Sequence, residues 1–179
     1  NHIKIYVIMS SEIEDSKKSH LSDKDYNSKV ILQMTGIISQ DPNDCQAYVM
    51  RGNHYLDANK LQEAISDFSK AIQLDPTDPI ILNNRGVAYR RTEHGEKAIS
   101  DFNEAISIKP DYREAYNNRG MVRADNYEYK VAIADFTKAI KIDSNYWYAY
   151  NNRAMSRWAL GDRKGAEADY KVVSTFMSR

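Results

Sequence analysis

Apolar positions along this chain return every three to four residues, and the whole pattern then repeats with a period of 34. Between Leu61 and Leu74, the side chains of Leu61, Ala64, Ile65, Phe68, Ala71 and Ile72 share one side of a helical wheel, which predicts an amphipathic helix. From Gln46 to Ala58, Tyr48, Tyr55 and Leu56 follow helical spacing together with the small Gly52. A polar break at 57–60 separates the two segments. Asp75-Pro76 ends the second, because the residue before proline is driven out of the α region. Gly52, Gly86 and Gly120 recur at the same interval, as do Ala64, Ala98, Ala132 and Ala166, and Phe68, Phe102, Phe136 and Tyr170. Self-similarity at this period predicts a stack of helix–turn–helix hairpins, none able to bury its apolar face alone. The usual product of such a stack is a long surface rather than a catalytic pocket.

The small residues set the helix spacing. Gly52, Gly86, Gly120 and Ala154 share one position of the first helix, and the alanine series shares one position of the second. Side chains of this size let helix axes approach toward the short end of about 8–10 Å. Glycine inside a helix costs about 1 kcal/mol against alanine, so its recurrence implies compensating close packing. Tyr48, Leu82, Tyr116 and Tyr150 then fill the gaps between pairs.

The pattern divides the chain into hairpins at 45–78, 79–112, 113–146 and 147–179. Ahead of them, 25–44 carries helical spacing through Tyr26, Val30, Met34, Ile37 and Ile38, and ends at Pro42, one period before Pro76. It reads as a capping helix or decayed repeat, with Ser22 or Asp23 as its N-cap. Residues 1–24 read as a polar, mobile leader, with 1–8 ahead of Met9 as a candidate non-native extension.

These positions resemble the tetratricopeptide repeat family, whose 34-residue pattern runs aromatic, Leu-Gly, Tyr, Ala, Phe or Tyr, Ala, Pro. The aromatic position holds Tyr48, Leu82, Tyr116 and Tyr150, and the glycine position holds Gly52, Gly86, Gly120 and Ala154. The tyrosine position holds Tyr55 and Tyr89, then departs as Arg123 and Arg157. The second alanine holds Ala71, Ala105 and Ala139, then Val173; the proline holds Pro76 and Pro110, then Ser144 and Ser178. The resemblance implies an all-α fold, a right-handed α-α superhelix of stacked hairpins whose first helices line a concave face.

One regularity goes beyond the family pattern. Arg51, Arg85, Arg119 and Arg153 each precede the glycine position, and Asp67, Asp101, Asp135 and Asp169 each precede the Phe/Tyr position sixteen residues later. A guanidinium can hold a carboxylate with two parallel hydrogen bonds, so the spacing predicts a bridge between the two, within a repeat or to its neighbour.

Opposite the buried stripe, the first helices carry a second one. Asn-Asn-Arg recurs at 83–85, 117–119 and 151–153. Amides both donate and accept, which suits the main chain of an extended peptide. The candidate groove comprises Asn53, Asn83, Asn84, Val87, Asn117, Asn118, Met121, Asn151, Asn152 and Met155, with Asn84, Asn118 and Asn152 facing the ligand and Val87, Met121 and Met155 taking side chains. Family members that grip acidic chaperone tails use a two-carboxylate clamp of lysines, an arginine and asparagines. The corresponding positions here are Val49, Asn53, Asn84, Glu114 and Asn118, or one repeat on, Asn83, Val87, Asn118, Tyr148 and Asn152; the cations are missing in both registers.

Composition narrows the reading further. Charge balances at 25 basic and 25 acidic residues, which gives no electrostatic footprint for nucleic acid. No apolar run reaches the roughly 20 residues of a membrane helix. Cys45 is the only cysteine, which rules out an internal disulfide and fits a reducing, cytoplasmic setting. His2, His20, His54 and His94 show no metal-ligand spacing, and no phosphate loop or nucleophile–base arrangement occurs, so neither cofactor nor catalysis is expected. The sequence thus reads as a non-enzymatic scaffold holding a segment of another protein. Self-assembly through Val172, Val173, Phe176 and Met177 of the last helix, giving a homo-oligomer, is the alternative.

Overall fold

A computed structural model describes residues 22–178. The expectations for the leader at 1–21 and for the segment before Met9 lie outside the described residues. Within them the chain is all-α: α1 Asp23–Gln40, α2 Cys45–Asp57, α3 Leu61–Leu74, α4 Pro79–Arg91, α5 Gly95–Ile108, α6 Arg113–Asp125, α7 Tyr129–Ile142, α8 Trp147–Ala159 and α9 Arg163–Met177. The chain divides into two compact units, Asn1–Pro76 and Thr77–Arg179.

In the first unit α1 packs on α2 and α2 on α3. Helix α1 begins inside the expected leader, because the Ser22 hydroxyl accepts from the Asp25 N–H and caps the helix there. Val30 and Met34 of α1 meet Ala47 of α2 in a buried cluster flanked by Tyr26, Ile37, Ile38 and Met50. In the second unit successive helices from α4 to α9 pack in order, and the first helices α4, α6 and α8 also touch in sequence.

Each hairpin closes around an aromatic ring. Phe68, Phe102 and Phe136 are at most 1% exposed. A Cβ added to Gly52, Gly86 or Gly120 would stand 2.6–2.7 Å from the Cε1 of the facing ring, which is why the column needs glycine. In the last hairpin the glycine column holds the fully buried Ala154, and the ring position holds Tyr170, which is 38% exposed where the phenylalanines are buried.

The turns within hairpins share one geometry. Asn59, Glu93, Tyr127 and Gly161 all adopt positive φ. The next residue donates its N–H to Tyr55, Tyr89, Arg123 or Arg157 O at 2.8–3.0 Å, the paired bonding of a Schellman motif. Between hairpins, helices end on extended caps at Asp41, Asp75, Lys109 and Asp143, the first three directly before proline.

Candidate functional site

The first helices are held in place by the arginine–aspartate column. Arg51 meets Asp67 through Nε and Nη2, both at 2.7 Å; Arg85 meets Asp101 at 2.8 Å twice. Arg119–Asp135 and Arg153–Asp169 repeat the same fork at 2.6–3.0 Å. The carboxylates are buried and the guanidinium groups mostly so. Hydrogen bonding to the aspartate is the main cause that raises Arg51 and Arg85 above the ordinary arginine value. The remaining Nη1 reaches the hairpin before: Arg51 donates to Thr35, Arg119 to Asn103 and Arg153 to Thr137, each sixteen residues back. One side chain therefore ties two helices of its hairpin and the second helix of the preceding one.

The asparagines engage each other. Asn118 donates to Asn83 Oδ1 and Asn152 to Asn117 Oδ1, both at 2.9 Å, so the amides form rungs between neighbouring first helices of the second unit. Asn83 and Asn117 are buried, while Asn84, Asn118, Asn151 and Asn152 are half-buried. The second N–H of Asn118 and of Asn152, and their carbonyl oxygens, stand outside these rungs. Val87 packs partly on the Phe102 cluster and Met121 partly on the Phe136 cluster. Met155 stands 58% exposed. Asn53 lies half-buried on α2, in the first unit.

A cleft of about 310 Å³ opens between these first helices, lined by Met121, Asn152 and Met155 of the predicted groove together with Ala124, Tyr129, Phe136, Ser156 and Ala159. Its two charged members, Arg90 and Asp125, pair at 2.8 Å along one side. On α8, Tyr148, Met155 and Trp158 are each about half exposed and fall on one helix face.

Profiles of this helical pattern cover more than half of the chain: the TPR repeat profile matches 52–92, and the tetratricopeptide repeat profile matches 80–112 and 114–146. The chain belongs to the tetratricopeptide repeat (TPR) family. Membership places it among protein-interaction scaffolds. MamA from Desulfovibrio magneticus RS-1 is similar in fold at 16% identity and TM-score 0.80, over 98% of this chain and 96% of that one. The first TPR of Spaghetti (RPAP3), solved bound to the HSP90 peptide SRMEEVD, is 29% identical with TM-score 0.64, over 68% of this chain and 96% of that one. The Sgt2 TPR domain of Aspergillus fumigatus is 24% identical with TM-score 0.64, over 68% and 82%. A comparison with curated protein sequences returns no significant match.

Several features of this TPR chain escape a reading by motif. Arg123 and Arg157, departures from the family tyrosine, donate to Asp135 and Asp169 at 2.7 and 2.8 Å and put a second guanidinium on each carboxylate. Tyr129, Phe136 and Ser156 also enter the cleft lining, Phe136 from a column that the periodicity assigns to packing. Their signal in the sequence is indirect, since they border the hollow that Ala124 and Ala159 leave. Glu114, at a clamp position, is held by Arg113 Nε at 2.8 Å. Among the described residues no group of three His, Cys, Asp or Glu could hold a metal, and no helix is long and apolar enough to cross a membrane.

Proposed function

We propose that the first-helix face of the second unit binds a segment of another protein in extended form. Asn84, Asn118 and Asn152 engage its main chain, and Val87, Met121 and Met155 take its side chains. The observation that carries this reading is the cleft in which Met121, Asn152 and Met155 converge, three residues that the sequence selects on spacing alone. The amide rungs add to it: they hold adjacent first helices at fixed register and leave donors and acceptors over for a ligand. The RPAP3 repeats, related at 29% identity and solved with a bound peptide, lend a precedent for such use of the fold.

The partner chemistry differs from an acidic tail. A clamp in this chain would bring Glu114 against the ligand carboxylates and supply none of the three cations. The test is calorimetric titration of a peptide selected on the unmodified protein from a displayed library. Asn84→Ala combined with Asn118→Ala should weaken binding by about 1 kcal/mol or more per lost hydrogen bond, with the melting curve recorded alongside. Unchanged affinity in a folded double variant refutes main-chain capture by the amides.

A further inference from the structure

We infer that the cleft between α6 and α8 is an anchor pocket for one bulky, uncharged side chain, a leucine, methionine or phenylalanine, of a partner segment. The inference rests on the reading that this face receives such a segment, and it names the chemistry that selects it.

The hollow has a traceable origin. At one column of the first helices stand Arg90, Ala124 and Trp158; at the next stand Arg91, Asp125 and Ala159. Ala124 and Ala159 are the truncated members of these columns, and both line the cleft. Met121 and Met155 border the space they leave, and Phe136 lies beneath it. Methionine adapts its shape to a guest, which suits the walls of a pocket that takes more than one apolar side chain.

Charge decides what enters. The lining holds one cation and one anion, Arg90 and Asp125, and they neutralise each other at 2.8 Å. Ser156 is 2% exposed and its hydroxyl donates to Asn152 O at 3.0 Å. A charged guest would lose its hydration and meet no unpaired counter-charge, which is unfavourable. A neutral apolar guest gives up no charge hydration and covers exposed apolar surface. Tyr148 and Trp158, half exposed on the same face of α8 as Met155, add aromatic surface of the kind in which interface anchors concentrate.

The test uses the full chain with 13C-labelled methionine methyl groups and defined probes. N-acetyl-leucinamide and N-acetyl-phenylalaninamide should move the Met121 and Met155 methyl signals along a single saturable curve while Met34 stays fixed. N-acetyl-aspartate amide and N-acetyl-lysinamide should move neither. Ala159→Arg fills the hollow with a side chain that the fold already accommodates at Arg91, and should reduce the Met121 response at least tenfold. The amide ladder is read by the peptide titration of Asn84→Ala with Asn118→Ala and the anchor pocket by Ala159→Arg with these probes, so failure of the one and failure of the other are seen separately. The proposal is overturned by shifts that do not saturate, by equal shifts at the exposed Met177, by charged probes that work as well, or by indifference to Ala159→Arg. Concentration-dependent movement of the Met121 and Met155 signals without any probe would assign the cleft to a second copy and overturn it as well.

Discussion

Hairpins α4–α5 and α6–α7 bury the same carboxylate at the same place and hold it differently. Asp101 is gripped by Arg85 in a two-bond fork, and the guanidinium carbon lies 5.7 Å from the Tyr89 ring centroid. Asp135 is gripped by Arg119 in the same fork and also by Arg123, which replaces the tyrosine and donates at 2.7 Å. Hairpin α8–α9 follows the second plan with Arg153 and Arg157 on Asp169. A position that departs from the family pattern has thus not decayed. Its tyrosine shields a guanidinium and adds no charge, whereas its arginine adds a second cation to a buried anion. The later hairpins therefore depend more heavily on a single aspartate.

The largest expected effect tests that dependence. Asp135→Asn leaves two mostly buried guanidinium groups without a counter-charge, and should cost about 3–5 kcal/mol. Asp101→Asn strands one guanidinium, which keeps its tyrosine, and should fall at or below the lower end of that range. Arg123→Tyr recreates the earlier plan and should change stability by no more than about 1 kcal/mol, since the Arg119 fork survives. Urea denaturation of the three variants decides the matter. Equal losses for the two aspartates would show that the second arginine carries no weight.

The contrast also marks where sequence reading reaches and where it stops. The sixteen-residue interval between arginine and aspartate was enough to pair the two residue types, because each occupies a fixed position on a helix of known period, but it left open whether the fork closes within a hairpin, as it does, or to the next one. Gly120 and Phe136 were legible for the same reason: a recurrent glycine in a helix implies something large pressed against it. The second arginine was not legible, since a lone substitution does not say what it touches. The asparagine rungs were legible as a stripe but not as a bonded series, because periodicity fixes a face and leaves the partner across the gap open. The cleft is harder still. It exists through what Ala124 and Ala159 fail to fill, and an empty volume has no residue of its own.

A second difference between the two hairpins sits at the start of the first helix. Asp78 caps α4, its side chain accepting from the Ile80 N–H at 2.7 Å. At the same position before α6 stands Tyr112, 8% exposed and making no cap bond, and before α8 stands Tyr146. Burial, and then the charge of Glu114, pushes both phenols up to about 12. The ordinary value, about 10, applies to the unfolded chain. The folded form therefore keeps protons that the unfolded form releases, and the stability is complete below pH 10 and lost as pH rises toward 12. The slope is at most about 1.4 kcal/mol per pH unit for each tyrosine, less for the half-buried Tyr146. Thermal melts from pH 9 to pH 11 should fall less steeply in Tyr112→Phe/Tyr146→Phe than in the parent. Parallel curves would mean that these rings titrate alike folded and unfolded.

The smallest effect concerns the turns, where the hairpins again differ at one position. Glu93 and Tyr127 both hold φ near +60°, a region costly for any residue with a Cβ. Both are exposed. Glycine removes the strain and gives back part of the gain through the greater freedom of the unfolded chain. Glu93→Gly should therefore stabilise by about 0.5–1 kcal/mol. Tyr127→Gly relieves the same strain but also removes a ring that meets Tyr129 edge-on, with centroids 6.2 Å apart at 87°. Such a pair is worth about 0.5–1.5 kcal/mol when well packed, and toward the lower figure for a ring that is 79% exposed. The second variant should gain less than the first, and the shortfall measures what the aromatic pair contributes. Equal gains would show that the Tyr127 ring adds nothing to the fold. A loss for Glu93→Gly would remove the premise that these turns are strained at all.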